Sequence, residues 1–414
     1  MNDRPQTELG YDARLRLHLL KLLEDGPRDL RFLVGQALGA YPTDVLSNLR
    51  ELQRTGEAKE IDTSVWASLA PTAQGDHTPL PTDESLHEED SGFPEPHPLD
   101  FDWRFDKLAL EHLENRIEAA SAKSIAVLGA PTLFKYLREH QRAAHLFDRN
   151  EQIVSFLKRA GHTEVTHCDL FHYSGRSHFD CVIADPPWYL DHYQAFIEAA
   201  RHMLAQGRKL FLSVLPPLTR PSAEKDRSAV ATFASDRGFD LIGTEPGLLG
   251  YLSPPFELEA LKSEGMNVFA WRSGDLYTFV LSDRGVSKYT PVHTEQEHHW
   301  KTFAIGRTVV KVKWDGAHLA GSFDFDTVSE MRDIRLRSVS RRSPVRSKIN
   351  LWTSRNIALH VSRPDLTCAA LQLLVEGRQS AEVARTLKEV KQLSPIELDR
   401  LVQLLGILIE ESKN

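Results

Sequence analysis

Between residues 101 and 285, short apolar runs of strand length alternate with amphipathic stretches of helical period. "SIAVLGA", "AAHLFDRN", "EVTHCDLF", "FDCVIADPPWY" and "KLFLSVLP" read as strands, since each has an apolar or small-residue middle bounded by polar or turn residues. "PTLFKYLREHQ", "EQIVSFLKRAG" and "HYQAFIEAARHMLAQG" read as helices. The first opens on Pro131, whose fixed φ suits a first helical turn, and the second stops at a glycine. "DLIGTEPGLL" and "LYTFVLSD" form a late strand pair. Such alternation predicts an α/β fold: a mostly parallel sheet covered on both faces, with ligands at the carboxyl ends of its strands.

The flanks have other periods. In "ARLRLHLLKLLE", Leu15, Leu19 and Leu22 fall on one helical face. "DLRFLVGQAL" and "YPTDVLSNLRELQRTGEAKEI" continue as helices, the latter with Pro42 ahead of it and Thr43 or Asp44 able to cap it. "GEAKEIDTSVWASLA" alternates like a hairpin. This is a winged-helix plan, whose third helix would read DNA. Acids and bases are nearly balanced there, so a protein–protein or dimerisation role stays open beside DNA binding. At the other end, "TFAIGRTVVKVKW", "GSFDFDTV" and "KINLWTSRNIALHVSR" look extended. "DLTCAALQLLVEGRQSAEVARTL" and "SPIELDRLVQLLGILIEES" make two or three amphipathic helices, with a Ser394/Glu397 capping box.

The chain has 414 residues, enough for two or three domains. Apolar residues make up 41% and charged residues 26%, a globular composition. No run is apolar enough for a bilayer span, the N-terminus lacks a signal-peptide plan, and Cys168, Cys181 and Cys368 fit neither a disulfide framework nor a zinc site. A cytoplasmic protein without a structural metal is the expectation. The net charge of −8 is uneven. Gly75–Pro98 holds seven acids and no Lys or Arg, and reads as a disordered acidic linker. Arg332–Lys348 holds seven basic residues and one acid, a mixture suited to phosphate, with Arg341, Arg342, Arg346 and Lys348 as candidate contacts. The expected plan is a winged-helix-like domain at 11–70, the linker at 71–99, an α/β domain at 100–285, a basic mixed extension at 286–360 and a helical domain at 361–414.

Chemistry concentrates in "ADPPWY", at the end of a strand. Pro186 and Pro187 fix φ and lack donors, so nearby carbonyls and the Asp185 carboxylate can accept hydrogen bonds from an amino group and orient its lone pair. Trp188 or Tyr189 offers a face for a flipped base. No stronger general base than Asp185 is evident; Tyr189, Asp191 and His192 are candidate helpers, although a histidine beside a helix start is more often solvated.

"ADPPWY" matches the [DNS]-P-P-[YFW] motif of S-adenosyl-L-methionine-dependent amino-methyltransferases. With "SIAVLGAPTLFKYLRE", "LFDRN" and "CDLF" ahead of it in order and spacing, residues 105–220 resemble the probable N6-adenine methyltransferase family, which includes elongation-factor lysine methyltransferases. The resemblance implies a Rossmann-like methyltransferase domain. It places Leu128, Gly129, Ala130, Pro131 and Thr132 under the methionine part of the cofactor, Asp148 on the ribose, Asp169 and Leu170 beside the adenine, and Asp185–Trp188 on the amine. The usual acid-then-G-x-G loop is reduced to Gly129, as it is in that family. N6 of adenine in DNA or RNA is the leading acceptor, because an indole suits a planar base. A protein lysine is the alternative, and a non-catalytic scaffold the third reading.

Overall fold

The computed structural model describes residues 9–69, 92–176, 178–282, 289–292, 299–316, 321–328, 334–337 and 344–412. They divide into two compact units, one within Met1–Ser91, Trp103–Ser253 and Val268–Thr294, the other within Gly92–Asp102, Pro254–Asn267 and Glu295–Asn414. The units therefore interleave along the sequence, where consecutive domains were expected.

The first unit opens with α1 (Tyr11–Glu24), β1 (Arg28–Asp29), α2 (Leu30–Gly35), α3 (Pro42–Arg54), β2 (Ala58–Asp62) and β3 (Val65–Ser68). The strands pair in the order β1-β3-β2. α1 buries Leu15, Leu19 and Leu23. Its stripe steps by four, so Leu23 rather than Leu22 faces the core. α3 is capped by Tyr41 without a side-chain bond. Neither Thr43 nor Asp44 caps it; Asp44 instead accepts from the Tyr11 hydroxyl at 3.1 Å. Pro42, Val45, Asn48, Leu49 and Leu52 of α3 are buried, while Ser47, Arg50 and Arg54 form an exposed stripe. The module packs on the rest of its unit: the Leu218 N–H donates to the Leu38 carbonyl at 3.0 Å, and the Tyr41 ring meets Trp271 edge-on.

Next come β4 (Arg104–Phe105), α4 (Lys107–Ala119), β5 (Ser124–Leu128), α5 (Pro131–Glu139), β6 (Ala143–Asp148), α6 (Glu151–Arg159), β7 (Val165–His167), β8 (Phe179–Ala184), α7 (Leu190–Met203), β9 (Leu204–Val214), α8 (Ala223–Asp236) and β10 (Phe239–Leu252). α9 (Pro255–Ser263) belongs to the second unit, and β11 (Ser273–Leu281) returns to the first. The eight strands lie in the order β4-β10-β11-β9-β8-β5-β6-β7. β5, β6, β7, β8 and β9 run parallel, and β11 enters antiparallel between β9 and β10. β5 and β8 are buried over most of their length, as a sheet covered on both faces requires. The fold is mixed α/β and resembles Rossmann-like methyltransferases.

The second unit holds β12 (Trp300–Ile305), β13 (Thr308–Lys313), β14 (Phe325–Thr327), β15 (Leu351–Thr353), β16 (Ala358–Val361), α10 (Pro364–Val375), α11 (Ser380–Lys391) and α12 (Pro395–Glu411). Its strands form an antiparallel sheet. Val310, Leu351 and Leu359 of the sheet share one core with Leu371, Leu387 and Leu404 of the helices. The expected extension at 286–360 and helical domain at 361–414 are thus one body. The capping box forms at Ser394 and Glu397.

The expected linker at 71–99 needs correction at its end. Residues 70–91 lie outside the described residues, but Phe93, Glu95 and His97 are buried in the second unit. Glu95 accepts from Ser354 Oγ at 2.7 Å and from Arg355 at 2.8 Å, and His97 Nε2 donates to the Trp352 carbonyl at 2.9 Å. Composition there imitates a linker, while ion pairing holds it folded. Among the described residues no helix is long and apolar enough to cross a membrane.

Candidate active site

β6, β5 and β8 are neighbours, with Leu128 in register with both Phe147 and Ala184. The residues that follow, Gly129, Asp148 and Asp185, therefore leave one carboxyl edge of the sheet beside each other. The Gly129 N–H donates to the Phe147 carbonyl and the Asp185 N–H to the Leu128 carbonyl, both at 3.1 Å. Gly129 has φ +68°, and a Cβ there would stand 3.1 Å from Phe196 Cε1 and 3.2 Å from the Asp185 carbonyl. Only glycine meets both demands. The turn after β5 therefore touches the Asp-Pro-Pro-Trp backbone directly.

This edge fits a small nucleoside-containing cofactor. Thr132, in the first turn of α5, has a buried hydroxyl with no hydrogen-bond partner among the described residues. Asp148 is buried and accepts from the Asn150 N–H through Oδ1 at 2.7 Å. Ala130 and Pro131 are buried beneath the turn, and Leu170 is buried after β7. Asp169 accepts from the Phe171 N–H at 3.1 Å, so it caps the short 3-10 turn at Leu170–His172.

At Trp188 the sequence reading is overturned. Its side chain is only 5% exposed, so it is no open plate for a base. Arg272 lies over its ring at 3.9 Å and over Trp103 at 4.1 Å, a guanidinium between two indoles. Tyr251 meets Trp188 edge-on, and Trp188 Nε1 reaches Ser213 Oγ at 3.5 Å. Tyr189 is the half-exposed aromatic of the motif, with Arg220 over its ring at 5.6 Å. Two carbonyls of the turn are engaged: Pro187 accepts from the Tyr189 N–H and Trp188 from Arg220, both at 2.6 Å. His192 is buried edge-on against Phe171, not solvated.

Sequence reasoning missed the residues that hold Asp185. Tyr251 on β10 donates to Asp185 Oδ1 at 2.7 Å, and Ser213 on β9 lies 2.6 Å from the Tyr251 hydroxyl. Burial and the nearby Asp185 charge push the Tyr251 phenol far above its ordinary range, so it stays a donor. Gly274 on β11 gives these groups room. A Cβ there would stand 3.2 Å from both Ser213 Oγ and Trp188 Cζ2 and 3.3 Å from Tyr251 Cε2. Nothing local in "LGYLSPP" or "RSGDLY" signals this convergence; it exists only once β11 inserts between β9 and β10.

The candidate phosphate contacts belong to the second unit. Arg346 is half-buried, with its guanidinium 5.3 Å from the Trp352 ring and 5.5 Å from Phe101, while Lys348 is exposed. Arg341 and Arg342 lie outside the described residues.

The first unit has a Rossmann-like methyltransferase fold, and the family match over residues 102–233 implies S-adenosyl-L-methionine as its cofactor. Residues 102–233, about a third of the chain, match the family model described as probable N6-adenine methyltransferase. No curated protein matches the sequence. Among solved structures, the branched-chain polyamine synthase of Thermus thermophilus, described in complex with N4-aminopropylspermidine and 5′-methylthioadenosine, aligns over 69% of this chain and 91% of its own. The identity is 16% and the TM-score 0.53. Its C9 mutein aligns over 69% and 90%, at the same identity and TM-score. These likenesses are of fold. Tyr251, Arg272 and Gly274 lie beyond the family match.

Proposed function

We propose that the first unit methylates an exocyclic amine, with N6 of adenine in DNA or RNA as the acceptor. What supports the reading is the close approach of the Gly129 turn to the Asp185 carbonyl, which brings together the two segments read as cofactor cradle and amine holder. Bound S-adenosyl-L-methionine supplies an electrophilic sulfonium methyl. Leu128–Thr132 would cradle its amino-acid end, Asp148 would accept from the ribose hydroxyls, and Asp169 and Leu170 would flank the adenine. Asp185 would accept one N–H of the substrate amine and hold the nitrogen in line, with Pro186 and Pro187 stiffening the turn. The nitrogen would gain the methyl as the sulfonium C–S bond breaks, S-adenosylhomocysteine would leave, and the displaced N–H proton would pass to Asp185 or solvent water.

Tyr189, not Trp188, would stack the acceptor ring. A planar aromatic amine is favoured over lysine or a polyamine because the half-exposed Tyr189 ring offers a face to stack it. The exposed stripe Ser47, Arg50 and Arg54 on α3 would contact phosphates; the exposed Lys348 of the second unit is a separate phosphate candidate.

The test is transfer of labelled methyl to separated DNA, RNA, protein and spermidine. Label in nucleic acid, lost in Asp185→Ala with the fold intact, is expected. Label in protein alone selects the lysine reading, label in spermidine a polyamine acceptor, and no label anywhere the scaffold.

A further inference from the structure

We propose that Tyr251 is a positioning residue that holds Asp185 by one of its two oxygens and keeps the carboxyl group ionised. The assignment to an acceptor site rests on the reading above; the effect on Asp185 itself does not. The geometry is a hydrogen-bond chain with one direction. An indole N–H can only donate, so Trp188 Nε1 donates to Ser213 Oγ. The Tyr251 hydroxyl donates to Asp185 Oδ1 at 2.7 Å, so its oxygen is left to accept from Ser213 Oγ at 2.6 Å. Every donor from Trp188 to Tyr251 thus points toward the carboxylate. Chains of aligned donors polarise one another in a dry interior, and Ser213, Trp188 and Tyr251 are each at most 5% exposed. Three strand ends and the motif itself build it: Ser213 from β9, Tyr251 from β10, room at Gly274 of β11, and Trp188 from the turn after β8.

The chain also explains a buried Trp in the motif. Its indole starts the relay that fixes the acid three residues before it. Other charged and titratable groups act around Asp185. Arg272, ahead of β11, stacks on Trp188 and lies 6.0 Å from the Tyr251 ring. Tyr193 of α7 accepts from the Leu215 N–H at 3.0 Å, and its phenol is pushed up by burial and also feels Asp185, Arg220 and Arg272. α7 adds Asp191 and His192, both buried in its first turn. The turn from Gly129 to Thr132 contributes no charge. Arg272 and Arg220 are present with or without Tyr251, so the Tyr251 contribution is read as a difference between variants.

The experiment is a titration of Asp185 in the full chain labelled with 13C at the aspartate carboxyl carbon, with Asp185→Asn identifying the signal. A hydrogen bond to the charged form lowers a carboxylate pKa, so Tyr251→Phe should raise the Asp185 midpoint by about one unit. Ser213→Ala should move it the same way by less. Thermal unfolding and S-adenosylhomocysteine binding, measured on each variant, identify those that remain folded. If Tyr251→Phe does not fold, Ser213→Ala decides alone. An unchanged midpoint in the folded variants overturns the proposal, whatever acceptor is methylated. A shifted midpoint beside absent methyl transfer in wild type supports it and removes only the acceptor reading. Where wild type does transfer methyl, the acid limb of the rate profile should rise in Tyr251→Phe with the midpoint.

Discussion

The Tyr251 hydroxyl lies 2.7 Å from Asp185 Oδ1, joining β10 to the turn after β8 across 66 positions of sequence. A strand-end acid thereby becomes an oriented acceptor instead of a rotating one. The motif's two aromatics part company at this edge: Trp188 is buried and Tyr189 half-exposed.

That separation is testable. Trp188→Ala removes a buried indole, and the cavity should cost about 3–5 kcal/mol of stability, read from denaturant unfolding. Tyr189→Ala should leave unfolding almost unchanged and weaken adenosine binding to the cofactor-loaded protein by about 1–3 kcal/mol, the usual loss of one base stack. Equal stability losses in the two variants would mean that Tyr189 is also core.

Asp148→Ala should weaken S-adenosylhomocysteine binding by about tenfold or more, since a carboxylate bonded to a hydroxyl contributes roughly 1.5–3 kcal/mol. Calorimetry reads it directly. Undiminished affinity would remove Asp148 from the cofactor site.

At Gly129 the expectation is harsher. Alanine there meets a left-handed φ of +68° and neighbours at 3.1 and 3.2 Å. Destabilisation of about 1–3 kcal/mol and loss of cofactor binding should appear together. Normal binding in Gly129→Ala would show that the turn is not against the cofactor.

His97 gives the second unit an acid sensitivity. Burial, then the nearby Lys311 charge, holds its pKa down to about 3, while the unfolded chain titrates near the ordinary histidine value of 6.5. Between those values the unfolded state binds the extra proton. The stability due to neutral His97 is therefore complete above about pH 6.5 and lost as pH falls toward 3, at about 1.4 kcal/mol per unit once well below 6.5. The difference in unfolding free energy between wild type and His97→Gln should follow that slope. A difference independent of pH from 7.5 to 5 would refute it.

The strand–helix alternation was legible because burial on both sheet faces leaves whole apolar runs, as in β5 and β8. α8 was not: its buried positions are Ala223, Val230 and Ala234, too small and sparse to set a helical period. In α1 the difference between Leu22 and Leu23 is one residue of a drifting stripe. Asp148, Asp185 and Gly129 were legible because each ends or follows a strand, where chemistry collects in parallel sheets. Ser213, Tyr251, Arg272 and Gly274 were not, because their meaning depends on which strands become neighbours. Trp188 misled for the same reason, since Trp103 and Arg272, which cover it, are remote in sequence.

The central claim, one site shared by the Gly129 turn, Asp148 and Asp185, is tested most directly by a crystal structure with S-adenosylhomocysteine and adenosine bound together. The account predicts ribose hydroxyls on Asp148, the thioether sulfur against the Gly129 turn, and the adenosine amino group on Asp185. Cofactor bound away from that turn, or Asp148 and Asp185 opening into separate cavities, would contradict it.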